Sequence, residues 1–428
     1  MSERLAIAGG SRAVPEGTIK PWPPIDDVDR KMTMASLEGT QHAYGPNCKE
    51  LEREFAAWND NAFALVTDSG TAALHMGIAA CGLSAGDEVI VPAYSWPSSA
   101  TCIMHHNCIP VFVDIDFDTM NIDTEKIEAA ITPRTKAIIP VHLHGLAVDM
   151  DRVMEVARRH DLYVIEDACQ AHGATFKARK VGTFGHCAAF STNQNKCLCS
   201  GEGGLFVTDD EGIKDRADRL RYFGESRAPE DNPRVHNYGL GWMYRGNDLA
   251  AAFARAQLTK LDSYLARQRE NAALLSELLR GTPGLIIPTA PEGFGHNWYN
   301  YTIRFDLPSL GHDWSDRAFR DSLLKAIQKE GVDTGIWQAF ILPDLTVFRA
   351  KNAYGGGCPW SCPHAQEVDY DPAQFPMAQR HCDAHTGMTT PLRAPNGEET
   401  ARAVARGIRK VLENVEQVEE LLCAKANG

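Results

Sequence analysis

The sequence predicts an α/β protein, in which a mostly parallel sheet is flanked by helices and followed by a smaller α+β domain. Between residues 47 and 208, helical and extended apolar patterns alternate. The extended segments are continuously apolar, which is typical of parallel strands buried on both faces. After about residue 275 the pattern changes, and at 428 residues the chain is long enough for two domains.

Each element of the alternating region has its own signal. Apolar residues at helical spacing mark helices, and short apolar runs bounded by turn residues mark strands. Helices are predicted at 47–59, 69–82, 97–106, 123–131, 149–160 and 210–223. Strands are predicted at 62–67, 87–92, 109–115, 136–143 and 162–167, with strand-like segments at 186–191 and 203–208.

The C-terminal third combines a strand with amphipathic helices. Residues 297–305 alternate like an antiparallel strand, 320–331 read as a helix ended by Gly331, and 398–422 as one long amphipathic helix. Residues 350–376, rich in Gly, Pro and aromatic residues, predict an inserted loop. The expected organisation is an N-terminal arm (1–40), a large domain (41–275) and a small C-terminal domain (276–428).

Charge and hydropathy exclude several classes of function. The chain carries 43 basic and 56 acidic residues, a net charge of −13, without a basic run that would bind nucleic acid or an anionic membrane. No apolar stretch is long enough to span a bilayer. The first 17 residues, MSERLAIAGGSRAVPEG, lack the uninterrupted apolar core of a signal peptide. We therefore expect a cytoplasmic protein.

The twelve cysteines favour reduced thiols over a disulfide framework, because most lie inside apolar elements. Cys358, Cys362, His364 and Cys382 could in principle bind zinc. Their spacing is not that of an established zinc motif, so an irregular loop is the preferred interpretation and no metal is predicted.

Polar residues follow the first two predicted strands, at the sheet edge where parallel α/β proteins bind ligands. Ser69, Gly70 and Thr71 open a helix, so their free N–H groups and hydroxyls could hold a phosphate, or simply cap the helix. Trp96 follows the second strand, where its flat ring could cover a planar ligand or pack in the core.

Later strand ends supply a carboxylate and an amine. Asp167 ends an apolar strand, where a carboxylate needs a cation unless it or Glu166 caps the next segment, and Gln170 lies three residues on. Ser191 and Lys196 follow a later strand, and the nearest acid after Lys196 is Glu202. A phosphate cradle, a stacking ring, a carboxylate for a pyridinium and a lysine for a Schiff base are what pyridoxal 5′-phosphate (PLP) requires of a protein.

The chain resembles the DegT/StrS family of sugar and cyclitol aminotransferases, which are fold-type I PLP enzymes, from about residue 40 to the C-terminus. The blocks that carry the resemblance, in order, are SGTAAL, GDEVIVPAYSWPSSA, PVFVDID, KAIIPVHLHG, IEDACQAHGA, GTFGHCAAFS and GEGGLFVT. AFSTNQNKCLCSGEGG and NWYNYTIRFD are most similar to glutamine:scyllo-inosose aminotransferases and aminohydroxybenzoate synthases. The resemblance implies a seven-stranded sheet.

The resemblance also implies roles for individual residues. Lys196 would form the Schiff base and act with Asp167 in catalysis, with Asp167 pairing with the ring nitrogen. The cofactor-binding residues would be Ser69, Gly70, Thr71, Trp96, Asp167, Gln170, Ser191 and Lys196. Related enzymes that dehydrate sugars have histidine at the lysine position, so the lysine favours amino transfer.

One family contact is altered in this chain. Many members place an asparagine on the partner subunit's cofactor phosphate, but Met243 stands at that position in LGWMYRGND. Asn247 is the candidate substitute, and Arg245 is a candidate for the donor carboxylate or a structural arginine. The resemblance implies a homodimer.

The expected activity is amino transfer from glutamine or glutamate to a keto-cyclitol or keto-sugar in a specialised-metabolite pathway of the aminoglycoside type. Three alternatives stay open: amination of a nucleotide-linked keto-sugar, a PLP-dependent dehydratase or aromatising synthase, and a non-catalytic sensor that uses the same fold.

Overall fold

The computed structural model of the protein describes residues 3–225 and 239–426. The strands in these ranges are β1 Phe63–Thr67, β2 Glu88–Pro92, β3 Ile109–Val113, β4 Thr135–Ile138, β5 Tyr163–Asp167, β6 Thr175–Phe176, β7 Arg179–Lys180, β8 Cys187–Ser191, β9 Gly204–Thr208, β10 Leu285–Ile286, β11 Phe294–Gly295, β12 Tyr301–Phe305 and β13 His385–Met388. The α-helices are α1 Asp27–Glu38, α2 Pro46–Asn59, α3 Gly70–Ala80, α4 Ser98–Met104, α5 Met150–Arg159, α6 Glu211–Arg221, α7 Asp248–Leu258, α8 Leu261–Leu279, α9 Arg317–Lys329, α10 Thr346–Arg349, α11 Pro376–Ala384, α12 Glu398–Leu412 and α13 Val415–Ala426.

A seven-stranded sheet forms the centre of the fold, in the order β1-β9-β8-β5-β4-β2-β3. The pairs from β3 to β8 are parallel, and β9 runs antiparallel to both β8 and β1. All residues of β2, β8 and β9 are buried, as expected for strands covered by helices on both faces. The predicted mostly parallel sheet is confirmed.

Two large apolar clusters cover the two faces of this sheet. One joins the sheet to α3 and α4, through residues such as Leu74 and Ile103. The other joins it to α2, α5 and α7, through residues such as Phe55 and Val153. The strand ends that carry the predicted site residues are therefore fixed from both sides.

A second, three-stranded antiparallel sheet, β10-β12-β13, organises the C-terminal part of the chain. It packs with α9 and α12 in a third apolar cluster, to which Leu5 and Val14 near the N-terminus also belong. Glu330 attaches this N-terminal segment, because its buried carboxylate accepts hydrogen bonds from the N–H groups of Ala6 (2.7 Å) and Ala13 (3.0 Å).

The element α8 runs across the predicted domain boundary at residue 275. Leu261 and Leu265 belong to the cluster of the large sheet, whereas Leu275 and Leu279 belong to the C-terminal cluster. The predicted arm is also divided between two regions, since Asp29 of α1 accepts hydrogen bonds from the Gln257 amide (2.7 Å) and the Lys260 ammonium (2.6 Å).

Two predicted helices differ from the structure. Residues 123–131 form turns and a single 3-10 turn at Glu128–Ala130, because Ile127 alone in this segment is buried and a short helix needs an apolar face to pack. The long C-terminal helix is broken between α12 and α13, where the Asn414 amide donates to the Lys410 carbonyl (2.7 Å).

The insert at 350–376 packs on the β3 side of the sheet, where the Tyr370 hydroxyl donates to the Pro110 carbonyl (2.7 Å). Cys358 and Cys362 in this insert are half-buried free thiols, whereas Cys382 is buried in α11. Within the described ranges, no three side chains of His, Cys, Asp or Glu are placed to hold a metal ion. None of the described helices is both long and apolar enough to cross a membrane.

Candidate active site

The start of α3 offers unpaired backbone donors beside a hydroxyl. Ser69 caps the helix, with its hydroxyl accepting from the Ala72 N–H (3.1 Å). The N–H groups of Gly70 and Thr71 have no protein acceptor among the described residues. Because the positive end of a helix dipole favours anions, this turn suits a phosphate.

Gly70 brings the start of α3 against the end of β8. A Cβ atom at position 70 would lie 2.8 Å from the Cys169 Sγ and 2.9 Å from the Ser191 Cβ. Only glycine permits this approach, which places the first turn of α3 beside Ser191. The Ser191 side chain is 8% exposed, and its Oγ accepts from the Asn193 N–H at 3.3 Å. The two predicted phosphate-binding segments, residues 69–71 and Ser191, therefore lie side by side.

Asp167 is a buried carboxylate that has no cationic partner among the described residues. It is 5% exposed at the end of β5, and it accepts from the Ser99 hydroxyl (2.6 Å) and the Cys169 N–H (3.1 Å). Within the described part of the chain, no basic side chain forms an ion pair with it. Because a buried charge is costly without an opposite charge, this carboxylate suits a cationic group of a ligand.

Gln170 and Trp96 each follow a strand of the large sheet, β5 and β2 respectively. The Gln170 Oε1 accepts from the His144 N–H (2.8 Å), which leaves the side-chain NH₂ group as the free donor. Trp96 is 53% exposed although it follows a buried strand, and its ring lies 6.1 Å from that of Trp337. An exposed aromatic face at this position is suited to covering a planar ligand.

Lys196 lies in the loop between β8 and β9, with its amine near an aromatic ring. The amine is 3.4 Å from the Tyr299 hydroxyl and 4.6 Å from the centre of the Tyr299 ring. The loop is held by the N-terminal segment, since the Trp22 indole N–H donates to the Lys196 carbonyl (3.1 Å). Tyr299 and Trp22 are distant from Lys196 in sequence, so spacing gave no signal for either.

Two buried histidines are close enough to Lys196 for its charge to affect their pKa values. Burial and, to a smaller extent, the Lys196 and Arg393 charges lower the pKa of His172 to about 3. Burial also holds the pKa of His144 well below its usual value, with smaller contributions from neighbouring histidines and Lys196. Both rings are therefore neutral at physiological pH, and they do not compete with Lys196 for an anionic partner.

The segment 243–247 runs beside the end of β1, through a bridge between Thr67 and Arg245. The Asn247 Oδ1 caps α7 by accepting from the N–H groups of Leu249 (2.9 Å) and Ala250 (3.4 Å). Asn247 also lines a small cavity of about 210 Å³ together with Thr67 and Arg245, while Met243 is exposed.

These residues fit PLP in four respects: free N–H groups beside Ser191 for the phosphate, an unpaired buried carboxylate for the ring nitrogen, an amide donor for the ring hydroxyl, and an exposed indole for the ring face. The amine of Lys196 lies in a loop that begins at the end of β8, next to Ser191.

Comparison with known proteins agrees with this geometry. The sequence profile of the DegT/DnrJ/EryC1/StrS aminotransferase family matches residues 23–387. The chain belongs to this family. Aminotransferases of the family depend on PLP, so the protein is a PLP-dependent aminotransferase of the sugar and cyclitol class.

The relatives include enzymes that act on cyclitols and enzymes that act on nucleotide sugars. L-glutamine:2-deoxy-scyllo-inosose aminotransferase of Streptomyces kanamyceticus is 39% identical over 307 residues, covering 66% of this chain and 71% of the relative. GDP-perosamine synthase of Caulobacter vibrioides is 37% identical over 314 residues, covering 73% and 82% respectively.

Solved structures show the same fold. 3-amino-5-hydroxybenzoic acid synthase superimposes with a TM-score of 0.81 at 28% identity, covering 92% of this chain and 98% of that one. DesI, solved in the presence of its TDP-sugar product, gives a TM-score of 0.79 at 25% identity, with 99% of both chains covered. The predicted fold-type I architecture is therefore confirmed.

Proposed function

We propose that the protein transfers an amino group from glutamine or glutamate to a keto-cyclitol or a free keto-sugar in specialised metabolism. The observation that carries this proposal is the sequence identity to the glutamine:2-deoxy-scyllo-inosose aminotransferase. In addition, this chain has a lysine, Lys196, at the position where dehydratases of the family have histidine.

The predicted site residues support a division of roles. The N–H groups of Gly70 and Thr71 and the hydroxyls of Ser69 and Ser191 would bind the cofactor phosphate, while Asp167 would keep the ring nitrogen protonated. Bound PLP supplies an electron sink for the carbanion that forms at the donor's α-carbon.

Three further side chains would orient the ring and move the proton. The Gln170 NH₂ group would donate to the ring hydroxyl, and Trp96 would cover one face of the ring and exclude water. Lys196 would hold the cofactor covalently until the donor replaces it. Its freed amine would then take the proton from the donor's α-carbon and later return a proton to the acceptor carbon.

An exposed apolar surface supports a homodimer. Ile25, Val28, Met34 and Leu37, in or next to α1, are each between 45% and 51% exposed. A mostly apolar cavity of about 680 Å³ adjoins them and includes Asn247. We propose that a second copy covers this surface and brings Asn247 to the partner's phosphate. Sedimentation should give a dimer at micromolar concentration, and a monomer that is fully active would contradict this proposal.

The decisive experiment combines glutamine or glutamate with a panel of keto-cyclitols, keto-sugars and nucleotide-linked keto-sugars. Mass spectrometry should detect an amine formed from a free keto-cyclitol or keto-sugar, together with the keto acid of the donor. The variant Lys196→Ala should form no product, and Lys136→Ala, which alters an exposed lysine of β4, should react normally.

A second candidate is amination of a nucleotide-linked keto-sugar, favoured by the 37% identity to GDP-perosamine synthase over 82% of that enzyme. Amination of the nucleotide-linked compounds alone would establish this candidate and exclude the first. Turnover of a substrate by dehydration or aromatisation, with no amine formed, would exclude both.

A further inference from the structure

A cavity of about 660 Å³ lies between the N-terminal segment and the C-terminal part of the chain, outside the cofactor-binding residues. Its lining includes Arg12, Lys20, Trp22, Asn195 and Arg393. Asn195 directly precedes Lys196, so the cavity extends to the loop that carries the amine. A volume of this size matches a small-molecule site.

Arg393 is a buried cation of this cavity, and it has no anionic partner among the described residues. The residue is 2% exposed, one Nη donates to the Tyr299 carbonyl (3.2 Å), and its Nε has no hydrogen-bond partner in the described part of the chain. Among the residues that the structure describes, no carboxylate forms an ion pair with it. A buried guanidinium in this state is costly, and it would be stabilised by an anion that enters the cavity.

Two aromatic residues contact both Arg393 and Lys196. The guanidinium carbon lies 5.2 Å from the centre of the Trp22 ring and 5.3 Å from that of Tyr299. The Tyr299 ring also lies under the Lys196 amine, and the Trp22 indole N–H donates a hydrogen bond to the Lys196 carbonyl. An anion held by Arg393 would therefore lie close to the reacting amine.

We propose that Arg393 binds the carboxylate of the amino donor and thereby sets donor specificity. This inference rests on the proposed function, in which glutamine and glutamate carry carboxylates and the keto-cyclitol carries none. Guanidinium groups bind carboxylates with two parallel hydrogen bonds. The exposed cations Arg12 and Lys20 would attract the anionic donor to the cavity. The exposed acids Glu16 and Asp333, which also line it, would partly offset this attraction.

Arg245, the arginine suggested by the sequence, has different surroundings. Its guanidinium carbon lies 5.0 Å from the centre of the Tyr222 ring and 5.4 Å from that of Phe223. No described contact joins it to Lys196 or Tyr299. Although the Arg245 Nε is also without a partner among the described residues, the contacts with the Lys196 loop favour Arg393 as the carboxylate-binding arginine.

The first test follows the donor half-reaction of the holoenzyme by the change in visible absorption when glutamine or glutamate is added. Arg393→Met should raise the apparent dissociation constant of the donor about 10- to 100-fold, and Arg393→Lys should raise it less, because lysine keeps the charge without the planar fork. The Michaelis constant of the acceptor, measured in the second half-reaction, should not change.

Arg304→Met is the matched control. Arg304 is equally buried, donates to the Phe117 carbonyl, and has an unpartnered Nε, but it lies on β12 near Asp116 and Asp118. A structural role of Arg393 predicts that both methionine variants lose stability while donor affinity stays the same, and that result would overturn the proposal. If only the Michaelis constant of the acceptor rises, Arg393 belongs to the acceptor site, and this result would also overturn the proposal.

The second test does not require turnover. Glutarate, a dicarboxylate without an amine, should bind the holoenzyme in calorimetry, and Arg393→Met or, if that variant loses the cofactor, Arg393→Lys should weaken this binding. If neither glutamine nor glutamate reacts with wild-type protein, the proposed function fails, but the glutarate titration still decides whether Arg393 holds a carboxylate. Equal binding to wild type and variant would contradict the inference.

Discussion

Glu166 and Asp167 are adjacent carboxylates whose surroundings differ because successive side chains of a strand point to opposite faces. Glu166 accepts from the His142 ring (2.9 Å) and from the N–H groups of Gly182, Phe184 and Gly185 (2.6–2.7 Å). Burial works to raise the pKa of Glu166, but these hydrogen bonds outweigh it and hold the pKa below its usual value. Glu166 is therefore structural, whereas the Asp167 carboxylate accepts from two donors within the described residues and remains able to pair with a cation.

Replacing Asp167 by asparagine should keep the shape of the site but remove the charge that holds a proton on the ring nitrogen. We expect the variant to bind PLP and to lose activity by about 100-fold or more, measured as steady-state turnover. Ser99→Ala, which removes the 2.6 Å hydrogen bond to this carboxylate together with the 2.7 Å hydrogen bond between the Ser99 and Ser95 hydroxyls, should reduce turnover by about three- to tenfold. Equal turnover in D167N and wild type would exclude the ring-nitrogen role.

At the scale of elements, α3 lies close to β5 and β8 because positions 70 and 77 are glycine. A Cβ at Gly70 would meet the Cys169 Sγ and the Ser191 Cβ, whereas one at Gly77 would lie 2.9 Å from the Ile165 Cγ2, inside the core. The helix α3 therefore contains two positions where an added Cβ would be crowded, Gly70 at the candidate phosphate site and Gly77 away from it.

Gly70→Ala should weaken PLP binding more than it destabilises the fold. Overpacking costs about 1–3 kcal/mol at either glycine, but only the change at Gly70 displaces the predicted phosphate donors. We expect the dissociation constant of PLP, measured by titrating the cofactor-free protein, to rise about tenfold or more in G70A. G77A should lower the melting temperature and leave PLP affinity nearly unchanged, and equal affinity losses in both variants would contradict the phosphate role.

Sequence patterns predicted the elements that bury continuous apolar runs. They were less successful where packing against residues distant in sequence determines whether a helix forms or which side chains reach the site. The strands that carry Asp167 and Ser191 were correctly predicted, because each is an apolar run ended by polar residues. Residues 123–131 had a helical pattern but little to pack against. Trp22 and Tyr299 reach the site from distant segments, so no local spacing could reveal them.

At the scale of the whole molecule, several histidines are buried as neutral rings. Burial is the main cause that lowers the pKa of His75, His172 and His296 to about 3 each. The unfolded chain binds protons at these positions below about pH 6.5, while the folded chain does not. These histidines therefore do not reduce the free energy of unfolding above about pH 6.5, and they reduce it progressively as the pH decreases toward 3.

His172→Phe should reduce this pH dependence. Neither ring nitrogen of His172 has a hydrogen-bond partner among the residues that the structure describes, and the ring packs near Phe55 and Phe190, so an apolar ring should be accommodated. Each such histidine contributes up to about 1.4 kcal/mol per pH unit. Denaturant unfolding at pH 7.5 and 5.0 should show a smaller loss of stability in H172F than in wild type, and equal losses would show that His172 is not the source.

The covalent position of the cofactor is the most direct test of the whole account. Holoprotein reduced with borohydride, digested and mapped by mass spectrometry should carry the pyridoxyl group on the peptide that contains Lys196. A label on another lysine, or no label in protein that shows the cofactor's visible absorption, would contradict the assignment of Lys196 and the chemistry derived from it.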